Sequence, residues 1–297
     1  MEEYRRYTKP AELHKAINTL RGLISGVTAD KEMSEAEALE VSNWLILQSY
    51  LRDRHPFSEL IPMVEAALAD GVISTEERED ILWLCSSFTA NGDYYDVITS
   101  GVQFLSGLAY GMIADGELSD NEISLLKDWL DNNDYLAGVY PYDELNALVT
   151  AIMADNAVSD DERNILKAFI GNLIDFSSSY NLHEPDFKKL REEYSVAGIC
   201  ALCPEVEFSG RSFCFTGEAN RPRSEMEQAA VSLGGELRKS VSSKTDYLVV
   251  GHSGNPCWAF SCYGRKIEEA INVRKAGGKV QIIDENDFWD AVADATA

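Results

Sequence analysis

Residues 210–217, Gly210-Arg-Ser-Phe-Cys-Phe-Thr-Gly217, decide how the C-terminal part of this chain is read. Ser212 to Thr216 is a short apolar strand that ends in Thr-Gly, and a helical stretch from Arg223 to Leu233 follows and closes at Gly234-Gly235. Glu236 to Val241 and Tyr247 to Val250 read as further strands, followed by a loop through Pro256. Gly264 to Lys275 reads as a helix, Lys279 to Ile283 as a fourth strand, and Asp284 to Val292 as a last helix. Strands alternating with helices over about 90 residues predict a small α/β domain built on a parallel sheet.

Working back from that stretch, the pattern changes. Ala29-Asp30, Ala69-Asp70, Ala114-Asp115 and Ala154-Asp155 recur at intervals of 40, 45 and 40 residues. Each Asp is followed at the third position by Met33, Ile73, Leu118 or Val158, at the fourth by Ser34, Ser74, Ser119 or Ser159, and at the seventh by Glu37, Glu77, Glu122 or Glu162. Ser-x-x-Glu is a capping box, in which the Ser hydroxyl accepts from the third helical amide and the Glu reaches back to the cap amide. Gly71 and Gly116 stand where an incoming helix must turn. Each unit therefore reads as helix, tight turn, helix, with Gly107 and Gly111 on one helix face where a neighbour can approach closely. A calcium loop is excluded, because with Asp70 at the fifth loop position the first and third ligands would be Ala66 and Leu68.

The expected division is residues 1–175 as an all-α bundle of four helical hairpins, 176–205 as a linker with a short polar helix at Asp186 to Tyr194, and 206–297 as the α/β domain. Charge follows the same split. The chain carries 26 basic and 50 acidic residues, a net of −24. Residues 1–204 hold 15 basic and 36 acidic side chains (−21), and residues 205–297 hold 11 and 14 (−3). So acidic a chain repels polyanions at long range, which argues against coating DNA through many phosphate contacts. It leaves room for a local site that takes one phosphate. The uncharged run Val97 to Ala114 is expected to be a buried bundle helix and not a membrane span, since it contains Thr99, Ser100, Gln103 and Ser106. No signal peptide is read at the N-terminus, so a cytoplasmic location with reduced thiols is expected for the six cysteines. Cys200-Ala-Leu-Cys203 is half of a zinc pattern without its second half, and no metal or cofactor is expected.

On these residues the helical region resembles TerB-like (tellurite-resistance) domains, whose signature is the A-D-G-x-apolar-S-x-x-E turn, over roughly residues 10–175. The resemblance implies an acidic surface with a stress-response link. It leaves two readings of the turn Asp and capping Glu, as turn and cap chemistry alone or as ligands sharing a divalent ion. The C-terminal part resembles a BRCT domain with a four-stranded parallel sheet. This rests on GRSFCFTG, LGGELRKSVSSKTDYLVVG, GRKIEEA and KVQIIDENDFWD, in the manner of bacterial NAD-dependent DNA ligases and the large subunit of replication factor C.

That branch implies a pocket for a terminal phosphate. Thr216 would donate its hydroxyl, Gly217 its amide, Arg223 two charge-assisted bonds from a helix start, and Lys266 an ammonium. Lys244, Arg265 and Trp258 are possible additions. Trp258 and Tyr263 either pack or stack on a sugar or base, Trp289 packs beneath the last helix, and His252 is solvated. Lys188, Lys189 and Arg191 on the short linker helix are candidates for duplex contact. No nucleotide-binding loop, zinc-protease motif or K-x-D-G adenylation motif is present, so the chain is expected not to be an enzyme. The resemblances imply a partner that is a phosphorylated DNA end or a phosphoprotein in bacterial or phage DNA repair, replication or stress response. The acidic bundle would offer a second, protein-binding surface.

Overall fold

The structure is a computed structural model that describes residues 2–30, 33–89, 95–155, 157–194, 200–252 and 265–296, with side chains from residue 10 onward. The chain packs as two compact units, Met1–Tyr135 with Ser159–Glu193, and Leu136–Val158 with Tyr194–Ala297.

The first unit is helical: α1 (Glu2–Val27), α2 (Glu35–Leu47), α3 (Phe57–Ala67), α4 (Thr75–Thr89), α5 (Val97–Met112), α6 (Asp120–Asp131), then, beyond α7 of the second unit, α8 (Asp160–Ile170) and α9 (Glu184–Glu193). The repeated Ser-x-x-Glu motif does what its chemistry requires. Ser34, Ser119 and Ser159 are N-caps of α2, α6 and α8 with complete capping boxes, and Ser74 and Glu77 exchange the same two bonds ahead of α4. The turn aspartates are used locally: Asp70, Asp115 and Asp155 each accept from the amide two residues on. Among the described residues no group of three His, Cys, Asp or Glu is disposed to hold a metal.

The small-residue face expected on α5 meets a matching one on α1. A Cβ on Gly107 would lie 2.2 Å from the Thr19 carbonyl oxygen, and one on Gly22 would lie 2.1 Å from that of Phe104. The two backbones touch, and only glycine fits. Leu20, Leu23, Ile24, Phe57, Leu60, Ile61 and Ile81 are fully or almost fully buried in the core between α1, α3 and α4. No helix among the described residues is long and apolar enough to cross a membrane.

Residues 176–193, expected as connector, belong to the first unit. Glu40 on α2 is fully buried and explains it. Its carboxylate accepts from the amides of Tyr180 (3.0 Å) and Asn181 (2.8 Å) and from the Tyr110 hydroxyl. Asn181 also donates to the carbonyls of Ala36 and Ala114. A buried carboxylate needs several donors, and this segment supplies two of them as backbone N–H groups.

The second unit is an α/β layer. Its strands β1 (Ser212–Thr216), β2 (Glu236–Arg238), β3 (Tyr247–Val250) and β4 (Gln281–Asp284) pair in parallel in the order β2-β1-β3-β4. The chain thus has the expected multidomain architecture, a helical region followed by a four-stranded parallel sheet. β2 is shorter than expected because it is an exposed edge. Alternate residues serve opposite faces of the sheet, as the two-residue period dictates. Phe213, Phe215, Tyr247, Val249 and Ile283 pack on α10 (Arg223–Ser232) and α12 (Glu285–Thr296) through Met226, Ala230 and Phe288. Cys214, Leu248, Val250 and Ile282 pack on α11 (Arg265–Lys275) through Ile267 and Ala270.

The 1–175 boundary expected for the bundle differs from the packing at one helix. α7 (Tyr142–Ile152) lies in the second unit, held by an ion cluster. Arg274 of α11 is 2% exposed and bonds Asp143 at 3.0 Å, both oxygens of Glu144, and the Val280 carbonyl at 2.9 Å. Burial pushes the carboxyls of Asp143 and Glu144 up, against the pull of the Arg274 guanidinium.

Candidate functional site

The candidate site stands at the C-terminal ends of β1 and β3, where parallel α/β sheets expose their loops. Thr216 closes β1, and its carbonyl accepts from the Gly251 amide at 2.9 Å, which ties the ends of β1 and β3 together. Gly217 follows with φ +77°, and a Cβ there would stand 3.1 Å from the Gly251 nitrogen. Left-handed backbone and close approach together call for glycine. Gly217 is exposed and Thr216 half-buried at this strand end.

Lys266 is bonded at this strand end, and Arg223 opens α10, the helix that follows its loop. The Lys266 ammonium, half-buried near the start of α11, donates to the Phe215 carbonyl at 2.8 Å. It also acts on the buried Cys214 thiol, together with the Arg223 guanidinium at the start of α10. Burial pushes that thiol up, and Lys266 and then Arg223 pull against it. An ammonium has three donors and the Phe215 carbonyl takes one of them. Arg223 itself is exposed.

Beneath the rim lies a carboxylate that the sequence reading did not single out. Glu285, fully buried at the start of α12, accepts from the amides of Asn220 (2.8 Å), Arg221 (3.0 Å) and His252 (3.1 Å). Burial works to raise its carboxyl, but the amide donors prevail and hold it below its ordinary value. Glu285 thereby fixes the β1–α10 loop that carries Gly217 and leads into Arg223. From sequence it looks like an ordinary first-turn acid, and its position directly after the strand D-E was the one available signal. His252 is half-exposed as expected, but it pairs with Asp284 at 3.0 Å, a contact that raises its pKa.

The remaining candidates separate. Lys244 lies at the other end of the sheet, since its carbonyl accepts from the Ser212 hydroxyl at the start of β1. The strand puts roughly 13 Å between that point and Thr216, so Lys244 is not part of this rim. Arg265 is exposed at the first position of α11. Trp258, Tyr263, Cys257 and Cys262 lie outside the described residues. Trp289 packs partly buried on Phe288, with Arg221 4.3 Å above its ring. On α9, Arg191 bonds Glu184 and the Gly171 carbonyl, while Lys188 and Lys189 stay exposed. The expectation of reduced thiols fails at Cys200, which is disulfide-bonded. Cys203 is free and exposed, so the two cysteines of the C-A-L-C stretch do not form one site.

Comparison with known proteins bears on this second unit. Residues 204–287 match the family model of the BRCA1 C Terminus (BRCT) domain. This segment is a BRCT domain. The chain is 33% identical over 132 residues to a DNA ligase of Persephonella marina, a stretch that covers 42% of this chain and 16% of that ligase. It is 33% identical over 101 residues to a DNA ligase of Sorangium cellulosum (33% of this chain, 13% of the ligase). Over 125 residues it is 30% identical to a DNA ligase of Endomicrobium trichonymphae (40% and 16%). The chain therefore spans less than a fifth of the length of the ligases it matches. No solved structure matches it significantly.

Proposed function

We propose that this protein is a non-catalytic binding protein that recognises a 5′-phosphorylated DNA end or nick through the rim formed by Thr216, Gly217, Arg223 and Lys266. The observation that carries the reading is Lys266, bonded to the Phe215 carbonyl at the strand end that runs into Thr216 and Gly217, with Arg223 at the start of the next helix. A phosphate oxygen accepts from hydroxyl, amide and ammonium donors, and the start of α10 adds the favourable end of a helix dipole. The similarity to DNA ligases supports DNA as the source of that phosphate, and the absence of a K-x-D-G motif supports binding without ligation. The acidic first unit keeps the chain off bulk duplex and serves as an adaptor surface. Its four capping-box turns support a TerB-like reading of that unit.

The test titrates matched duplexes, with and without a 5′-phosphate, against wild type, Thr216→Ala and Lys266→Ala, with a phosphopeptide library in parallel. Phosphorylation is expected to tighten wild-type binding at least tenfold, about 1.4 kcal/mol, and each variant to lose most of that gain. The salt slope should be shallow, as for one phosphate. Equal affinity for both duplexes sinks the DNA-end reading. Phosphopeptide binding that depends on the same two residues would transfer the rim to a phosphoprotein partner.

A further inference from the structure

The first unit contains a pocket of about 610 Å³ that the phosphate-binding role does not use, lined from α1, α4, α5 and α6. Its size is that of a small-molecule site. Although the helical region carries 36 acidic side chains, Arg21 is the one charged residue among the described residues that line this pocket. Among the described residues no carboxylate pairs with Arg21. Its Nη1 reaches the Thr89 hydroxyl only at 3.5 Å, and its buried Nε has no partner. Burial lowers its pKa, with Cys85 and Tyr135 acting the other way. Beside it, Asn18 is 1% exposed and donates to Gln103, while its buried Oδ1 is unpartnered. The wall is aromatic. The Phe104 and Trp129 rings stack at 5.3 Å with 11° between planes, and the Arg21 guanidinium lies 5.5 Å from the Phe104 centroid.

A half-buried guanidinium without a counter-charge among the described residues, and a buried amide oxygen without a donor, each cost stability. Asn18 and Arg21 both line this pocket. We propose that this pocket binds a small ring-bearing anion, its carboxylate, sulfonate or phosphate group on Arg21 and its planar ring along Phe104 and Trp129.

Two fluorescent probes with the same rings test this on the full chain: 8-anilinonaphthalene-1-sulfonate, and N-phenyl-1-naphthylamine, which lacks the sulfonate. The sulfonate is expected to bind one to one and at least tenfold tighter than the neutral probe. Arg21→Met should abolish that preference while leaving the neutral probe's affinity within twofold, and Ser100→Phe, which fills the pocket, should abolish binding of both. Thermal melts establish that each variant is folded. No preference for the anion, an unchanged preference in folded Arg21→Met, or unchanged binding in Ser100→Phe each overturns the proposal. If Arg21→Met does not fold, Ser100→Phe decides alone: loss of both probes supports the site and retention refutes it.

Discussion

Replacing Arg274 with Met removes the guanidinium that bonds Asp143 and Glu144, which are 6% and 3% exposed. Two carboxylates would be left buried without their shared cation. Breaking a buried pair in this way costs about 3–5 kcal/mol, mostly as uncompensated charge. For a unit of this size each kcal/mol moves Tm by roughly 3–6 °C, so the melting of the second unit should fall by roughly 9–30 °C. Scanning calorimetry follows that transition separately from the first unit's. The triple variant Arg274→Met, Asp143→Leu, Glu144→Met removes all three charges and should recover most of the loss, because a buried ion cluster replaced by apolar groups is close to neutral. The deficit of the single variant should be smaller at pH 5 than at pH 8, since both carboxyls are already pushed up by burial and take up protons readily. A single variant that melts within 2 °C of wild type refutes the reasoning. So does a triple variant no more stable than the single one.

Other consequences follow from the first unit. Glu40→Leu strands two backbone amides and the Tyr110 hydroxyl, so a loss of about 2–4 kcal/mol is expected in urea unfolding; proteolysis should open 176–193 first, and an unchanged cleavage pattern would contradict its anchoring role. Burial, followed by neighbouring acids, pushes Glu37 up to about 7 and Glu122 up to about 8, against the capping bonds from Ser34 and Ser119. Both bind protons more tightly folded than unfolded, so stability should fall as pH rises from the ordinary carboxylate range through 7 to 8. Wild-type Tm should be higher at pH 5.5 than at pH 8.5, with a flatter profile in Glu37→Gln with Glu122→Gln. A Tm that rises over that interval, or an equal slope in the double variant, would remove these two groups as the cause.

What could be read from the sequence was local. β1 and β3 were expected at the residues where they stand, and the four capping boxes follow from hydrogen bonds three residues long. Thr216, Gly217, Arg223 and Lys266 were legible through the resemblance of the segment as a whole. The groups that organise each unit were not. Arg274 finds Glu144 from 130 residues away, and Tyr180 finds Glu40 from 140. On the sequence, Asp143 and Glu144 are helix-start acids and Glu40 is one acid among many. No periodicity marks them as buried. Arg21 was hidden in the same way, as one basic residue in a helical region whose overall charge is strongly negative. Lys244 shows the converse: a loop lysine that could add charge to the pocket, it lies instead at the opposite end of β1, where parallel pairing puts its loop.

Amide NMR during titration with a 5′-phosphorylated duplex locates the terminal phosphate proposed to sit at the end of β1. The largest shifts are expected at Thr216, Gly217 and the first turn of α10. They should saturate at one equivalent and be absent with the unphosphorylated duplex. Shifts of equal size with both duplexes, or shifts centred on Lys188 and Lys189 of α9, would contradict it.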